Sequence, residues 1–131
     1  MQTDAVRVVL PLPPKELSPN ARVHWAKKAR ATRIYRGKAW AGALVRLDRI
    51  EPPRWRHATM QSTFYWPDKR RRDRDNAEAC MKHARDGFVD AGVLVDDDEL
   101  VVLPTRFEVH KFQPRVEVEI RPVGEQQEQQ R

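Results

Sequence analysis

Apolar positions along this chain fall into short runs of differing spacing, and each spacing predicts an element. Ala5 to Leu10 (AVRVVL) is a nearly continuous apolar run, the pattern of a short, mostly buried strand. Pro11, Pro13 and Pro14 end it, because proline has no amide to donate. The Ser-Pro-Asn turn chemistry of Lys15 to Val23 predicts a loop. From about His24 to Leu47 there is neither proline nor, before Asp48, any acid. Trp25, Ala29, Ile34, Trp40, Ala43, Leu44 and Leu47 give an imperfect helical stripe there, and Gly37 and Gly42 argue against one unbroken helix.

Glu51 to Arg54 (EPPR) marks a break. His57 to Trp66 is rich in β-branched and aromatic residues with partial alternation, which predicts a strand ended by Pro67. Asp75 to Ala91 reads as a helix: Asp75 and Glu78 stand at capping-box spacing, Ala77, Met81, Ala84 and Phe88 form its apolar stripe, and Gly92 sits where it should stop. Leu100 to His110 and Arg115 to Arg121 read as two strands joined around Lys111 to Pro114. The second alternates strictly, with Val116, Val118 and Ile120 inward and Glu117 and Glu119 outward. The order β-α-β-α-β-β predicts a small α/β (α+β-like) domain over residues 1–123, a mixed sheet of about four strands with two main helices. The tail 124–131 has no apolar residue and is expected to be disordered.

A length of 131 residues suits one such domain. No apolar run approaches the roughly 20 residues of a membrane helix, and the amino terminus lacks the pattern of a secretory signal. Cys80, the single cysteine, can form no internal disulfide, so a reducing cytoplasm is the expected compartment. Charge adds more than its net value of +6 suggests. Residues 1–74 carry 18 Lys or Arg against 6 Asp or Glu, whereas residues 75–131 carry 7 against 13. Most of the cations are arginine, whose planar fork suits phosphate, so a polyanion is the expected partner. A merely arginine-rich, solvated surface is the alternative.

The chemistry concentrates in Asp68 to Asn76, DKRRRDRDN. Run out as an extended segment, Asp73 and Asp75 face one side and Arg72 and Arg74 the other. Two carboxylates, with a third from Asp96-Asp97-Asp98-Glu99, suit the all-oxygen coordination of Mg²⁺. Lys69, Arg70, Arg71, Arg72 and Arg74 beside them suit DNA phosphates. Together they point to metal-assisted phosphodiester hydrolysis. Simpler readings stand beside this one: Asp75 as a helix cap, DDDE as a solvated turn, KRRR as a solvated run.

PDKRRRDRDN, a helix, and then AGVLVDDDEL resemble the RusA family of Holliday junction resolvases of bacteria and their prophages, and LPLPPKELSPNARVHW resembles that family's Pro-rich amino-terminal stretch. The likeness spans about residues 6 to 121 and is densest over 67 to 99. It implies a homodimeric, Mg²⁺-dependent endodeoxyribonuclease that resolves four-way DNA junctions by paired nicks, with no organic cofactor and no membrane partner. The family's metal-site aspartates fall on Asp73, Asp75 and Asp97, and its essential lysine on Lys82. This chain has three extra residues, about one helical turn, between Asn76 and Lys82 compared with the founding member.

Other residues favour plain roles. Cys80 reads as a small core group, and His24, His57, His83 and His110 lack ligand spacing. Trp25, Trp40, Trp55 and Trp66 read as core or dimer contacts rather than base-stacking platforms. Lys82 and Asp86 also fit a surface i,i+4 pair. The rivals to a junction resolvase are a less selective nuclease on branched DNA and a non-catalytic basic DNA-binding protein. A straight helix of this length also leaves open whether Asp97 completes its own site or that of a second copy.

Overall fold

The alternation seen in the sequence builds the sheet. In a computed structural model that describes residues 5–48 and 50–123, strand β1 (Val6–Leu10) buries Val6, Val8 and Leu10 and turns Arg7 and Val9 outward. Helix α1 (Trp25–Leu47) follows a single 3₁₀ turn at Lys15–Leu17. Strand β2 (Ala58–Trp66) leads to two short helices, α2 (Arg74–Cys80) and α3 (Lys82–Asp90), and the chain ends with β3 (Leu100–Val102), β4 (Arg106–Val109) and β5 (Arg115–Pro122). The result is a mixed α/β domain with a five-stranded sheet. The expected tail over 124–131 lies outside the described residues. Among the described residues no helix is long and apolar enough to cross a membrane.

β5 sits between β1 and β2 and runs antiparallel to both. β3 and β4 both pair parallel to β2 on its other side, so α2 and α3 form the crossover of a β-α-β unit. Two expectations change here. Leu100 to His110 is two strands, because Leu103–Thr105 interrupts the ladder: Pro104 has no amide, and the Thr105 hydroxyl donates to Glu78 Oε1 at 3.2 Å. That makes five strands where about four were expected. The last two strands lie on opposite sides of β2.

Helix α1 is unbroken through both glycines. Its buried positions are Ala31, Tyr35, Ala39, Ala43 and Leu47, a seam at intervals of four. Ala43 and Leu47 of the expected stripe lie in this seam, but four of its large residues are outside it: Trp25, Ile34, Trp40 and Leu44 are all exposed. Small residues win the seam because α1 lies close to its neighbours. A Cβ on Gly42 would come within 2.8 Å of Val8 Cγ1. A Cβ on Gly87 of α3 would meet Ala39 Cβ at 2.7 Å and the Trp40 amide at 3.0 Å. Tyr35 adds the one aromatic group, its hydroxyl donating to the Pro11 carbonyl at 2.8 Å, and burial pushes its pKa well above the usual tyrosine value.

The expected helix over 75–91 divides at Met81. Its amide bonds back to Glu78 and Ala79 instead of continuing the α pattern, and its side chain is buried with its sulfur 4.0 Å from the Tyr35 hydroxyl. α3 ends at Asp90, and just beyond it Gly92 has a φ of 83°, the left-handed conformation that glycine accepts without strain.

Candidate active site

The basic loop grows out of the end of β2, and its own side chains organise it. The Arg70 amide donates to Asp68 Oδ1 at 2.9 Å, and Arg72 pairs with the same carboxylate at 2.9 Å. Those bonds, with the nearby arginine charges, hold the Asp68 carboxyl below the usual carboxylate range. Arg72 also donates to the carbonyls of Asp68 and Arg70, and its guanidinium lies 4.5 Å above the Trp66 ring. Arg72 therefore shapes the loop through these contacts, besides belonging to the run expected to bind DNA phosphates. Arg74 is exposed and stacks over Phe107 at 4.9 Å. Lys69, Arg70 and Arg71 are exposed.

Asp73 ends the loop and caps α2. Its Oδ1 accepts from the Asn76 amide at 3.1 Å, so the cap is Asp73 and not Asp75, and Asp75 lies in the first helical turn. The helix starts one residue too early for the extended Asp73–Asp75 alternation expected from sequence. Both carboxylates are nonetheless exposed at one helix terminus, one turn from each other at most. Asn76 reaches across to the amino-terminal loop, where the Ser18 hydroxyl donates to its Oδ1 at 2.9 Å. Ser18 is a site residue that single-residue reasoning passes over; its membership in the Ser-Pro-Asn turn is the available signal.

The acidic run sits elsewhere. Glu99 pairs with His57 Nδ1 at 2.8 Å, just before Ala58, where β2 begins. Asp96 accepts from the Asp98 amide at 3.0 Å, and half-buried Asp97 stands 3.9 Å from Arg85 of α3. Glu78, by contrast, is anchored to Thr105, one residue before the Arg106–Thr63 pairing. The stretch from Ala58 to Thr63 spans about 16 Å at roughly 3.3 Å per residue. Asp73 and Asp75 precede Glu78, on a crossover that runs from the far end of β2 back to its start. Among the described residues no three His, Cys, Asp or Glu groups stand at metal-binding spacing. Asp73 and Asp75 fit Mg²⁺ as a pair of hard oxygen donors, which is the number of carboxylates such an ion usually takes. Asp97 of the same chain does not join them.

Lys82 is exposed and opens α3, immediately after the break at Met81. No salt bridge joins it to Asp86 among the described residues. Of the remaining groups, Cys80 is buried, as expected, and Trp55 and Trp66 pack against the core. Trp25 is 76% exposed and is not a core residue of this chain.

No protein-family model matches the chain. It is 34% identical over 127 residues to an uncharacterized protein of Xylella fastidiosa (strain Temecula1), an alignment that covers 90% of this chain and 71% of that protein.

Proposed function

The chain belongs to the family of that Xylella protein, and from this premise we propose that it is a Mg²⁺-dependent, RusA-like endodeoxyribonuclease acting on four-way DNA junctions in the cytoplasm of a bacterial or phage-infected cell. One observation carries the reading. The two stretches that resemble RusA resolvases meet at the start of α2 through a hydrogen bond between Ser18 and Asn76, which are 58 residues apart in sequence. Asp73 and Asp75 lie beside that contact, next to the exposed cations Lys69, Arg70 and Arg71.

In this reading Lys69, Arg70 and Arg71 hold phosphates, and Arg72 and Asp68 keep their loop in shape. Asp73 and Asp75 would hold Mg²⁺, which when bound supplies an activated water and neutralises charge on the leaving oxygen. Lys82 faces charge that develops on the scissile phosphate. The third carboxylate, Asp97, stands 3.9 Å from Arg85 in its own copy, and a second copy of the chain is taken as its source because no group of three carboxylates forms among the described residues. A homodimer also supplies the two equivalent sites that paired nicks need.

A non-catalytic DNA-binding protein is the second reading, favoured by the cap that Asp73 gives to α2. Nicking of a synthetic four-way junction in Mg²⁺, beside a linear duplex and a flap, separates the readings. The wild-type chain should nick the junction and spare the duplex. Asp75→Asn should remove nicking and leave junction binding intact or tighter, since it takes away a ligand and a repulsive charge. Binding without cleavage by the wild type would establish the second reading, and equal cutting of flap and junction would make this a general branched-DNA nuclease.

A further inference from the structure

Phe112 is 83% exposed, the most exposed large hydrophobic side chain among the described residues. Its loop is tied down on both sides. The Gln113 amide donates to His110 Nδ1 at 3.0 Å, and Arg115 donates to the Gln113 carbonyl at 2.8 Å. Arg115 is itself fixed, over the Tyr65 ring at 4.1 Å and against Glu117 at 2.7 Å. The ring is thus held outward on a braced turn, with the Lys111 ammonium 5.6 Å from its centre.

The position of this turn gives it meaning. The His110 amide donates to the Trp66 carbonyl at 2.8 Å, so the turn leaves the sheet at the very end of β2 from which the basic loop also starts. Lys69, Arg70, Arg71 and Lys111 are all exposed at that end. Of the acids nearby, Asp68 is paired with Arg72 and Glu117 with Arg115; Glu108 is exposed beside these cations, as are Asp73 and Asp75, the carboxylates assigned to Mg²⁺. A polyanion is what that charge favours, and an aromatic ring among phosphate-binding cations meets bases where they are unstacked.

We propose that Phe112 is a base-contacting wedge, which stacks on a nucleobase exposed at the branch point of DNA while Lys111 and the basic loop hold the flanking phosphates. The proposal rests on the endonuclease reading for its substrate. A continuous duplex offers no open base face, so the wedge contributes to branched DNA and not to duplex, and it lets the chain tell the two apart.

The test is binding in EDTA, with the full chain and no metal, to a four-way junction and to a duplex of the same arm sequence. Phe112→Ala should bind the junction about 5- to 150-fold more weakly, the range for removing one aromatic–base stack. Its duplex affinity should stay within about twofold, and its melting temperature should not move, because the ring stands outside the core. Phe112→Trp should keep junction affinity and show indole fluorescence quenched by the junction more than by the duplex. Unchanged junction affinity for Phe112→Ala would overturn the proposal, as would equal losses on junction and duplex. A wild-type dimer that becomes monomeric on Phe112→Ala would overturn it too, by showing that the ring is covered by a second copy. Because the readout is metal-free binding, a wild type that binds junctions and never nicks them overturns the endonuclease reading alone.

Discussion

Arg70, Arg71 and Arg72 are neighbours in one basic run and do different work. Arg72 spends its guanidinium on Asp68, on two carbonyls and on the Trp66 face, whereas Arg70 and Arg71 point into solvent. The run itself is legible in the sequence. The division of labour within it is not, because it depends on Trp66 and Asp68 being folded under one arginine and not the others. Replacing Arg70 and Arg71 together with Ala should leave the melting temperature unchanged and flatten the salt dependence of DNA binding. The log–log slope should fall by about 0.9 for each phosphate that no longer has a cation beside it. Arg72→Ala should instead destabilise the fold by about 1–2 kcal/mol, the scale of part-buried, charge-assisted bonds. A thermal melt and a salt titration of the two variants check the pair. Asp73 carries a similar lesson: D-x-D spacing marks it from sequence as a ligand, and the structure adds that it caps α2. Asn caps about as well as Asp, so Asp73→Asn changes the charge and preserves the helix start.

At the scale of elements, strands were easier to read than helices. Val116, Val118 and Ile120 are buried as their alternation requires, and β1 and β2 begin and end within a residue of expectation. Period two leaves little choice of face once one side is apolar. The seam of α1 was only partly legible: Ala43 and Leu47 belong to the expected stripe, whereas Ala31, Tyr35 and Ala39 do not, and tryptophan and isoleucine face outward. Apolar volume drew attention to the wrong face; close approach selects small residues instead. The break at Met81 was equally hidden, since it comes from one tightened turn and not from a proline or glycine. The close approach makes a firm prediction. Gly87→Ala places a methyl against the Arg36 carbonyl, Ala39 and Trp40, all parts of α1. It should cost about 1–3 kcal/mol as an overpacking substitution and lower the melting temperature by several degrees. An unchanged melt would mean that α1 and α3 do not approach each other this closely.

For the whole molecule, the question is which copy supplies the third carboxylate of a site whose members the sequence sets only about twenty residues apart. Asp73 and Asp75 open α2, while Asp97 stands 3.9 Å from Arg85 in the first turn of α3. Chain length alone leaves two routes for Asp97, and the lack of any three-carboxylate group among the described residues favours the route through a second copy. The central claim is therefore that two copies build the site that cuts a four-way junction. The most direct measurement mixes Asp75→Asn chains with Asp97→Asn chains and follows nicking of a labelled junction in Mg²⁺, with the wild type beside them. Each variant alone should be inactive. In the mixed dimer one site carries both substitutions and the other carries neither, so nicking of a single strand should return. A mixture that stays inactive although the chains exchange, or a wild type that leaves the junction uncut, would contradict the claim.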